Sequence, residues 1–218
     1  MKLLALDTAT DACSVALYLD GAILQRHEVA PQRHTQLLLP MVRELCAEAA
    51  LTPAGFDAIA LGIGPGAFTG VRVAASVAQG LAYAHALPVI EVSTLAALAQ
   101  GGFRVTGAPA WLATLDARRQ ELYWAHYRIA DGLAVATGVE HVSPPAAVAL
   151  PETAGWRPAG TGWPAYAAAM GAAWPDFGAP AHLLPEARDI ATLGAALFAA
   201  GRGIAAADIA PTYLRAAV

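Results

Sequence analysis

The sequence predicts an α/β protein made of two related halves, and three observations support this prediction. Strand-like runs alternate with helical runs of apolar residues along most of the chain. Each half opens on an apolar run that ends in aspartate, at Asp7 and at Asp116. Each half also has a glycine-rich corner before a helical run, at 62–70 and at 159–164. These two matches and an Asp-Gly hairpin turn in each half occur in the same order, which indicates an internal duplication.

The first half is expected to fold as a β-meander followed by alternating strands and helices. Asp20-Gly21 is a two-residue hairpin turn between the second and third strands. Helices should begin near Thr35 and at Ser93, whose hydroxyls can cap a first turn, and another should run from about Thr69 to Ala86. The predicted strands run from Leu3 to Asp7, Cys13 to Leu19, Ala22 to Val29, Phe56 to Leu61 and Pro88 to Val92.

The second half repeats this plan in a degenerate form. Its opening strands run from Ala110 to Asp116 and from Glu121 to Arg128, and Asp131-Gly132 is the matching hairpin turn. We therefore expect two lobes, 1–104 and 105–218. Each should contain a β-meander that opens a mixed sheet covered by helices.

Composition and charge exclude several classes of protein. The 218 residues can bury a full core, and Cys13 and Cys46 are expected to be buried thiols of a reducing compartment. Asp7 interrupts the first apolar run, so we expect a cytoplasmic protein without a signal or membrane segment. The net charge of −4 does not indicate the excess of positive charge that direct binding of nucleic acid needs. Hydrophobic residues make up 57% of the chain, so large apolar faces must pack against something.

The glycine corner between the fourth strand and the second helix is the most informative stretch. A Walker loop is excluded because Lys2 is the only lysine, and Pro65 disfavours a Rossmann loop because it lacks an amide N–H. The remaining interpretation is a structural corner that brings the helix close to the sheet. Its residues are Gly62, Gly64, Pro65, Gly66 and Gly70.

Two halves that each open on a hairpin whose first strand ends in aspartate follow the plan of the actin-like, sugar kinase and heat-shock ATPase fold. Within that fold the chain resembles the TsaB family, also called YeaZ, over essentially its full length. The motifs that carry the resemblance are Leu6-Asp7-Thr8-Ala9-Thr10, His34-Thr35-Gln36, Gly64 to Arg72, Asp116-Ala117-Arg118, Gly160-Thr161-Gly162-Trp163 and Tyr213-Leu214-Arg215.

The resemblance implies a non-catalytic assembly subunit for threonylcarbamoylation of the adenosine beside the anticodon in tRNA. Its implied partners are a TsaD-like paralogue, which is catalytic, and a TsaE-like ATPase, with a homodimer when the chain is alone. It further implies that tRNA is reached only through the complex. No cofactor is expected on the chain itself, while ATP or ADP and metal are expected on the partner subunits.

The residues themselves argue against catalysis. Neither hairpin loop contains a glycine whose amide could approach a phosphate, so we predict at most weak, vestigial nucleotide binding by Asp7, Thr8, Thr10 and Asp116. We predict no metal site, because Leu38 stands one helical turn after His34 where a second ligand would be needed. Two alternatives remain open: an ATP-dependent phosphotransferase acting on a small molecule, and a metallopeptidase-like enzyme.

Two first-half helices are predicted to form an interface with a partner. The helix from Thr69 carries a narrow polar stripe, and small or apolar residues cover the rest of its circumference. One face can cover the sheet, which leaves another for a second chain, unless the neighbouring half covers it. The predicted interface residues are Leu37, Leu38, Met41, Leu45, Ala74, Ala75, Ala78, Leu81 and Ala82.

Overall fold

The computed structural model describes residues 1–149, 155–166, 168–170 and 184–215. Within these ranges the secondary structure follows the predicted alternation, and the predicted α/β class is confirmed. None of the described helices is both long enough and apolar enough to cross a membrane.

The first sheet has five strands in the order β3-β2-β1-β4-β5. Strands β1 to β3 form the antiparallel meander, and β4 and β5 join β1 as parallel strands. Asp20 and Gly21 turn the β2–β3 hairpin at φ 49° and 102°, a conformation that suits Asp-Gly. The strands are β1 (Lys2–Asp7), β2 (Ala12–Leu19), β3 (Ala22–Val29), β4 (Ala58–Gly62) and β5 (Val89–Val92).

The second sheet repeats the meander and the parallel addition. Its order is β10-β6-β7-β8, with β9 also paired to β7, and β10 runs parallel to β6. Asp131 and Gly132 make the matching turn at φ 51° and 78°. The strands are β6 (Ala110–Asp116), β7 (Leu122–Ala130), β8 (Leu133–Ala136), β9 (His141–Ser143) and β10 (Trp156–Ala159).

Five α-helices cover these sheets within the described ranges: α1 (His34–Glu48), α2 (Phe68–His85), α3 (Thr94–Thr106), α4 (Gly162–Tyr166) and α5 (Ala187–Ala199). Ser93 caps α3 as predicted, because its Oγ accepts from the amides of Leu95 and Ala96. The predicted cap at Thr35 is wrong. Helix α1 begins at His34, and Arg33 precedes it without a side-chain cap.

Alternation along the strands divides the core into layers. On β1, Leu4 and Leu6 face α1 and α2, whereas Leu3 and Ala5 face the space between the two sheets. Helices α3 and α5 fill that space. The far face of the second sheet carries a smaller cluster around Trp124 and Trp163. The layers are therefore two helices, a sheet, two helices, a sheet and a final short helix.

Each of the two inner helices, α3 and α5, packs mainly on the sheet of the other half of the chain. Helix α3 packs on β6, β7 and β8, although the predicted first lobe, 1–104, contains most of it. Helix α5 packs on β1, β2 and β4, although it belongs to the predicted second lobe, 105–218. Contact with the opposite sheet buries an apolar stripe on each helix. The division at residue 104 therefore describes the duplicated sheets and does not separate two independent packing units.

Side chains of the first sheet cap the start of α5. The amide of Ala187 donates to Ser14 Oγ at 2.8 Å, and the amide of Arg188 donates to Gln25 Oε1 at 3.0 Å. Free amides at a helix start need such acceptors when they are buried. The C-terminal segment then pairs with β5 through Ile204 and Val89 and returns to the glycine corner.

Candidate functional site: an inter-lobe cleft and an adjoining helix groove

The glycine corner brings the start of α2 into direct contact with the β1–β2 hairpin loop. A Cβ at Gly70 would lie 2.1 Å from the carbonyl oxygen of Thr8, and one at Gly66 would lie 2.4 Å from that of Ala9. No side chain fits at those distances, so glycine is needed at both positions. The amide of Ala67 also donates to the carbonyl of Ala9 at 2.7 Å. The first hairpin loop is therefore packed against the chain's own backbone.

Thr8 is fully used by this contact. Its hydroxyl donates to the carbonyl of Gly70 at 2.6 Å and accepts from the amide of Ala74 at 3.1 Å. The residue is completely buried. Its hydroxyl faces the start of α2 and does not line the cleft, so the structure gives no support to the predicted role of Thr8 in nucleotide binding.

Asp7 is equally inaccessible. Its Oδ1 accepts from the amide of Ala9 at 3.1 Å, while Oδ2 is buried without a hydrogen-bond partner and lies against Gly62. Burial raises the pKa of the Asp7 carboxyl to about 7. A carboxyl enclosed in this way has no open oxygen with which to hold a hydrated cation, so the structure gives no support to the predicted role of Asp7 in nucleotide binding.

A cleft of about 1040 Å³ lies between the two hairpins. Thr10 and Asp116, the other two predicted nucleotide-binding residues, do line it. The cleft walls come from the first hairpin loop, the start of α2, the β6–β7 turn and the C-terminal segment. The residues that define these walls are Ala9, Thr10, Asp11, Phe68, Arg72, Leu115, Asp116, Arg118, Arg119, Tyr123, Tyr213 and Arg215.

The β6–β7 turn holds Asp116 through its own residues. The carboxylate of Asp116 accepts from the amide of Arg118 at 2.8 Å, from its guanidinium at 3.1 Å and from Tyr166 Oη at 3.0 Å. Arg118, Arg119 and Gln120 are three consecutive residues in the left-handed region, at φ 61°, 54° and 60°. Side chains other than glycine adopt this conformation at a cost, so the turn has a defined shape that directs both arginines to the cleft.

A cation–aromatic cluster stands where the cleft meets the surface of α2. The guanidinium carbon of Arg72 lies 3.2 Å from the ring centroid of Phe68 and 5.1 Å from that of Tyr213. The side chain of Phe68 remains 65% exposed. Arg215 approaches from the other side, donating to the carbonyl of Ala117 and pairing with Glu121. Patterns in the sequence did not place these residues together, since they meet only across the two lobes.

A groove of about 360 Å³ between α1 and α2 adjoins the cleft at Phe68 and Arg72. Small or short side chains expose one face of α2, at Thr69, Ser76 and Gly80. A Cβ at Gly80 would meet nothing within 4 Å. The groove itself is lined by Thr35, Leu38, Leu39, Phe68, Thr69, Arg72, Val73, Ser76 and Val77.

Most of the predicted interface side chains point the other way. Seven of the nine are buried against the first sheet and neighbouring helices: Leu38, Met41, Leu45, Ala74, Ala75, Ala78 and Ala82. Only Leu37 and Leu81 are half-buried. These side chains already belong to the chain's own core, and of the seven only Leu38 also lines the groove between α1 and α2. The exposed groove is the surface that the two helices offer instead.

Within the described residues, no group of three or more histidine, cysteine, aspartate and glutamate side chains could hold a metal ion. His34 is the first residue of α1, and Leu38 follows it one turn later in a buried position. The two cysteines are also buried, and burial raises the pKa of the Cys13 thiol to about 12. A reactive thiolate at Cys13 is therefore disfavoured.

Two duplicated α/β lobes, with a cleft framed by their opening hairpins, place the chain in the class of actin-like proteins that includes sugar kinases and heat-shock ATPases. The family model of the tRNA N6-adenosine threonylcarbamoyltransferase TsaD matches residues 26–200. The chain belongs to the TsaB family, also called YeaZ.

Several relatives support this assignment. The tRNA threonylcarbamoyladenosine biosynthesis protein TsaB of Escherichia coli is 40% identical, over 99% of this chain and 95% of its own length. The TsaB protein of Haemophilus influenzae is 48% identical over 57% of this chain and 53% of its own length. The solved structure of YeaZ from Pseudomonas aeruginosa superposes with a TM-score of 0.90 at 47% identity, covering 98% of this chain and 99% of that one.

Proposed function

We propose that this chain is a non-catalytic assembly subunit for threonylcarbamoylation of the adenosine beside the anticodon in tRNA. It would pair with a TsaD-like catalytic subunit and a TsaE-like ATPase, and it would form a homodimer when alone. ATP or ADP and metal would be held by the partners, and tRNA would be bound only through the complex. The chain would act in the cytoplasm. Two relatives carry the name tRNA threonylcarbamoyladenosine biosynthesis protein, which supports a role in this pathway.

The closed first hairpin is the observation that carries the non-catalytic part of the proposal. Nucleotide-dependent members of this fold need backbone amides and a hydrated cation at that hairpin to hold phosphates. Here Gly66 and Gly70 bring α2 against the loop, Thr8 is bonded to α2, and Asp7 is enclosed. Little of the first hairpin remains to stabilise charge on a transferred phosphoryl group.

The groove between α1 and α2 supports the assembly part of the proposal. Its floor is apolar at Leu38 and Val77, and its rim carries Phe68 and Leu39, two of the larger exposed apolar side chains. Gly80 and Ser76 allow another helix to approach α2 closely. An exposed apolar surface of this kind favours burial against another subunit, and 57% of the residues of the chain are hydrophobic.

A reconstituted complex tests the proposal. The chain is combined with a TsaD-like and a TsaE-like protein, and threonylcarbamoyladenosine in tRNA is measured with and without it. Gly80→Arg should weaken pairing by at least about tenfold, since a long charged side chain would stand in the contact. Modification should fall with pairing.

Gly138→Arg is the matched control, because a Cβ at Gly138 also meets nothing within 4 Å and the residue lies away from both helices. It should pair like the parent. If folded Gly80→Arg pairs and supports modification as well as Gly138→Arg does, the exposed face of α2 beside the groove is not the interface. Full modification without the chain would refute the assembly role itself.

The inter-lobe cleft favours one second candidate, an ATP-dependent phosphotransferase of the same fold acting on a small molecule. A cleft of about 1040 Å³ would accommodate a nucleotide. ATP hydrolysis by the isolated chain separates the two proposals. Turnover on the order of 1 per second or faster would favour the phosphotransferase, whereas an assembly subunit should show essentially none.

A further inference from the structure

We propose that the C-terminal segment 212–215 is a strap that couples the groove between α1 and α2 to the β6–β7 turn of the second lobe. One end of the strap is fastened to the glycine corner and to residues that the groove shares with the cleft. The other end is fastened to the β6–β7 turn on the opposite side of the cleft. The regulatory role of the strap rests on the proposed function, in which a partner covers the groove.

The backbone of the strap is hydrogen-bonded to the glycine corner. The amide of Thr212 donates to the carbonyl of Ile63 at 2.9 Å. Gly64 makes this approach possible, because its φ is 102° and a Cβ there would lie only 3.2 Å from the carbonyl oxygen of Thr212. The strap is therefore attached to the loop that leads into α2.

The side chain of Tyr213 packs on two residues that line both the groove and the cleft, Phe68 and Arg72. The Tyr213 ring centroid lies 5.8 Å from that of Phe68 and 5.1 Å from the guanidinium carbon of Arg72. Aromatic pairs and cation–aromatic contacts at these distances are attractive, and the cation–aromatic contact strengthens when water is removed. Both rings are more than half exposed. A chain seated in the groove would cover Phe68 and so strengthen the hold of the first lobe on Tyr213.

The side chain of Arg215 fastens the other end of the strap to the second lobe. Its Nη2 donates to the carbonyl of Ala117 at 3.2 Å and pairs with the carboxylate of Glu121. These two acceptors close the β6–β7 turn, since the amide of Ala117 donates to the carbonyl of Glu121 at 2.9 Å. The side chains of Arg215 and Glu121 are only 31% and 30% exposed, which shields the ion pair in part from water and salt.

The two ends of the strap cannot change independently. One residue separates Tyr213 from Arg215, and a step of two residues spans at most about 7 Å. A partner that covers Phe68 therefore favours the form fastened at both ends over a released form. By reciprocity, contacts that hold Arg215 at the β6–β7 turn raise the affinity of the groove for the partner by the same factor. The strap makes pairing at the groove depend on the state of the second lobe.

Amide hydrogen exchange of the whole chain without partners, read by mass spectrometry with residue resolution, tests the strap. Phe68→Ala should speed exchange of the Thr212 amide by about tenfold and of the Ala117 amide in the opposite lobe by about threefold, because a fastened strap stabilises both hydrogen bonds. Leu39→Ala is the matched control, since Leu39 is an exposed apolar side chain of the same groove that does not line the cleft. It should leave both rates within about twofold of the parent.

Two further variants show whether the effect travels through the strap. Glu121→Gln removes the charge that holds Arg215, and it should speed exchange of the Thr212 amide although Glu121 belongs to the other lobe. In a Tyr213→Ala background, Phe68→Ala should no longer change exchange in the β6–β7 turn, because the connection is already broken. Circular dichroism would show that each variant is folded.

Unchanged exchange at Ala117 in Phe68→Ala would overturn the coupling, and so would an undiminished effect of Phe68→Ala in the Tyr213→Ala background. When a TsaD-like subunit is bound, exchange of the Thr212 amide should slow by about threefold or more. Unchanged exchange in a complex that does form would overturn the link to the groove. Because the variants are measured without partners, a failure to pair would refute the proposed assembly role and leave the result for the strap as measured.

Discussion

At the scale of single residues, Asp7 shows how burial limits what a carboxyl side chain can bind. Asp7 ends strand β1, next to the hairpin loop that borders the inter-lobe cleft. Here the carboxyl is completely buried, with one oxygen bonded to the amide of Ala9 and the other unpartnered. Because burial removes water from this carboxyl, the free energy of unfolding should depend on pH.

We expect the free energy of unfolding to fall as pH rises from about 4 to about 7 through Asp7. Burial raises its pKa from 3.8 to about 7, so in this range the folded chain keeps a proton that the unfolded chain has lost. The slope for one such group is at most about 1.4 kcal/mol per pH unit. Asp7→Asn should remove this slope and gain stability relative to the parent as pH rises.

Urea unfolding of both proteins from about pH 4.5 to about pH 8 would measure this difference. The difference in stability between variant and parent should grow with pH and become constant above about pH 7. A difference that does not change with pH would mean that Asp7 is ionised in the folded chain.

At the scale of elements, helix α2 combines two opposite packing requirements. Its first turn touches the β1–β2 loop at Gly70, whereas its later turns expose Gly80 to open space. Ala74, Ala78 and Ala82 are buried against the first sheet. Glycine is therefore needed at position 70 for close contact within the chain. At position 80 it leaves the surface of the helix open to a partner.

Alanine substitutions at these two glycines should shift the melting temperature in opposite directions. Gly80→Ala should stabilise the isolated chain by about 0.5–1 kcal/mol, because alanine loses less backbone entropy in a helix. That corresponds to a rise of roughly 1–4 °C for a chain of this size. Gly70→Ala should destabilise it by about 1–3 kcal/mol, because the new Cβ would overlap the carbonyl of Thr8. Thermal unfolding of both variants would check the two signs.

If Gly70→Ala melts like the parent, the tight contact between α2 and the hairpin loop is not present in solution. If Gly80→Ala lowers the melting temperature of a dimeric sample but raises that of a dilute monomeric one, the loss reflects association at the groove.

At the scale of the whole molecule, α3 and α5 join the two sheets. Arg104 near the end of α3 donates to both carboxylate oxygens of Asp189 on α5, at 2.8 and 3.0 Å, and to Glu186 at 2.9 Å. The Asp189 side chain is only 1% exposed. Burial raises the pKa of its carboxyl, and Arg104 opposes that rise. This ion pair therefore links helices that lie on different sheets.

Arg104→Met should destabilise the chain by about 2–3 kcal/mol, because it leaves the buried Asp189 without its charged partner. The partial exposure of Arg104 keeps the expected loss below the upper range for buried pairs. Urea unfolding would measure the change. The control is Arg33→Met, which breaks an exposed pair with Glu28 and should cost less than about 1 kcal/mol.

The double variant Arg104→Met with Asp189→Leu should recover much of the lost stability, since both charges are then replaced by apolar side chains. A double variant less stable than Arg104→Met would mean that Asp189 is held mainly by contacts other than this ion pair.

The sequence by itself determined the features that depend on neighbours along the chain. Strand alternation, the Asp-Gly turns at Asp20 and Asp131, and the cap at Ser93 were all predictable, because each depends on residues within four positions. The duplication could also be predicted from the sequence, because the repeated motifs occur in the same order in both halves. Residues such as Gly66 and Gly70 could be assigned to a structural corner before their contacts were known.

Only the tertiary structure decided which surfaces were left free. Helix α2 has alanine or glycine around much of its circumference, so hydrophobic periodicity could not distinguish its buried face from its exposed one. The exchange of α3 and α5 between sheets, the enclosure of Asp7, and the placement of Arg72 and Arg119 along one cleft all depend on contacts between distant parts of the chain. Such contacts are fixed by how complete layers pack, which no local pattern of residues specifies.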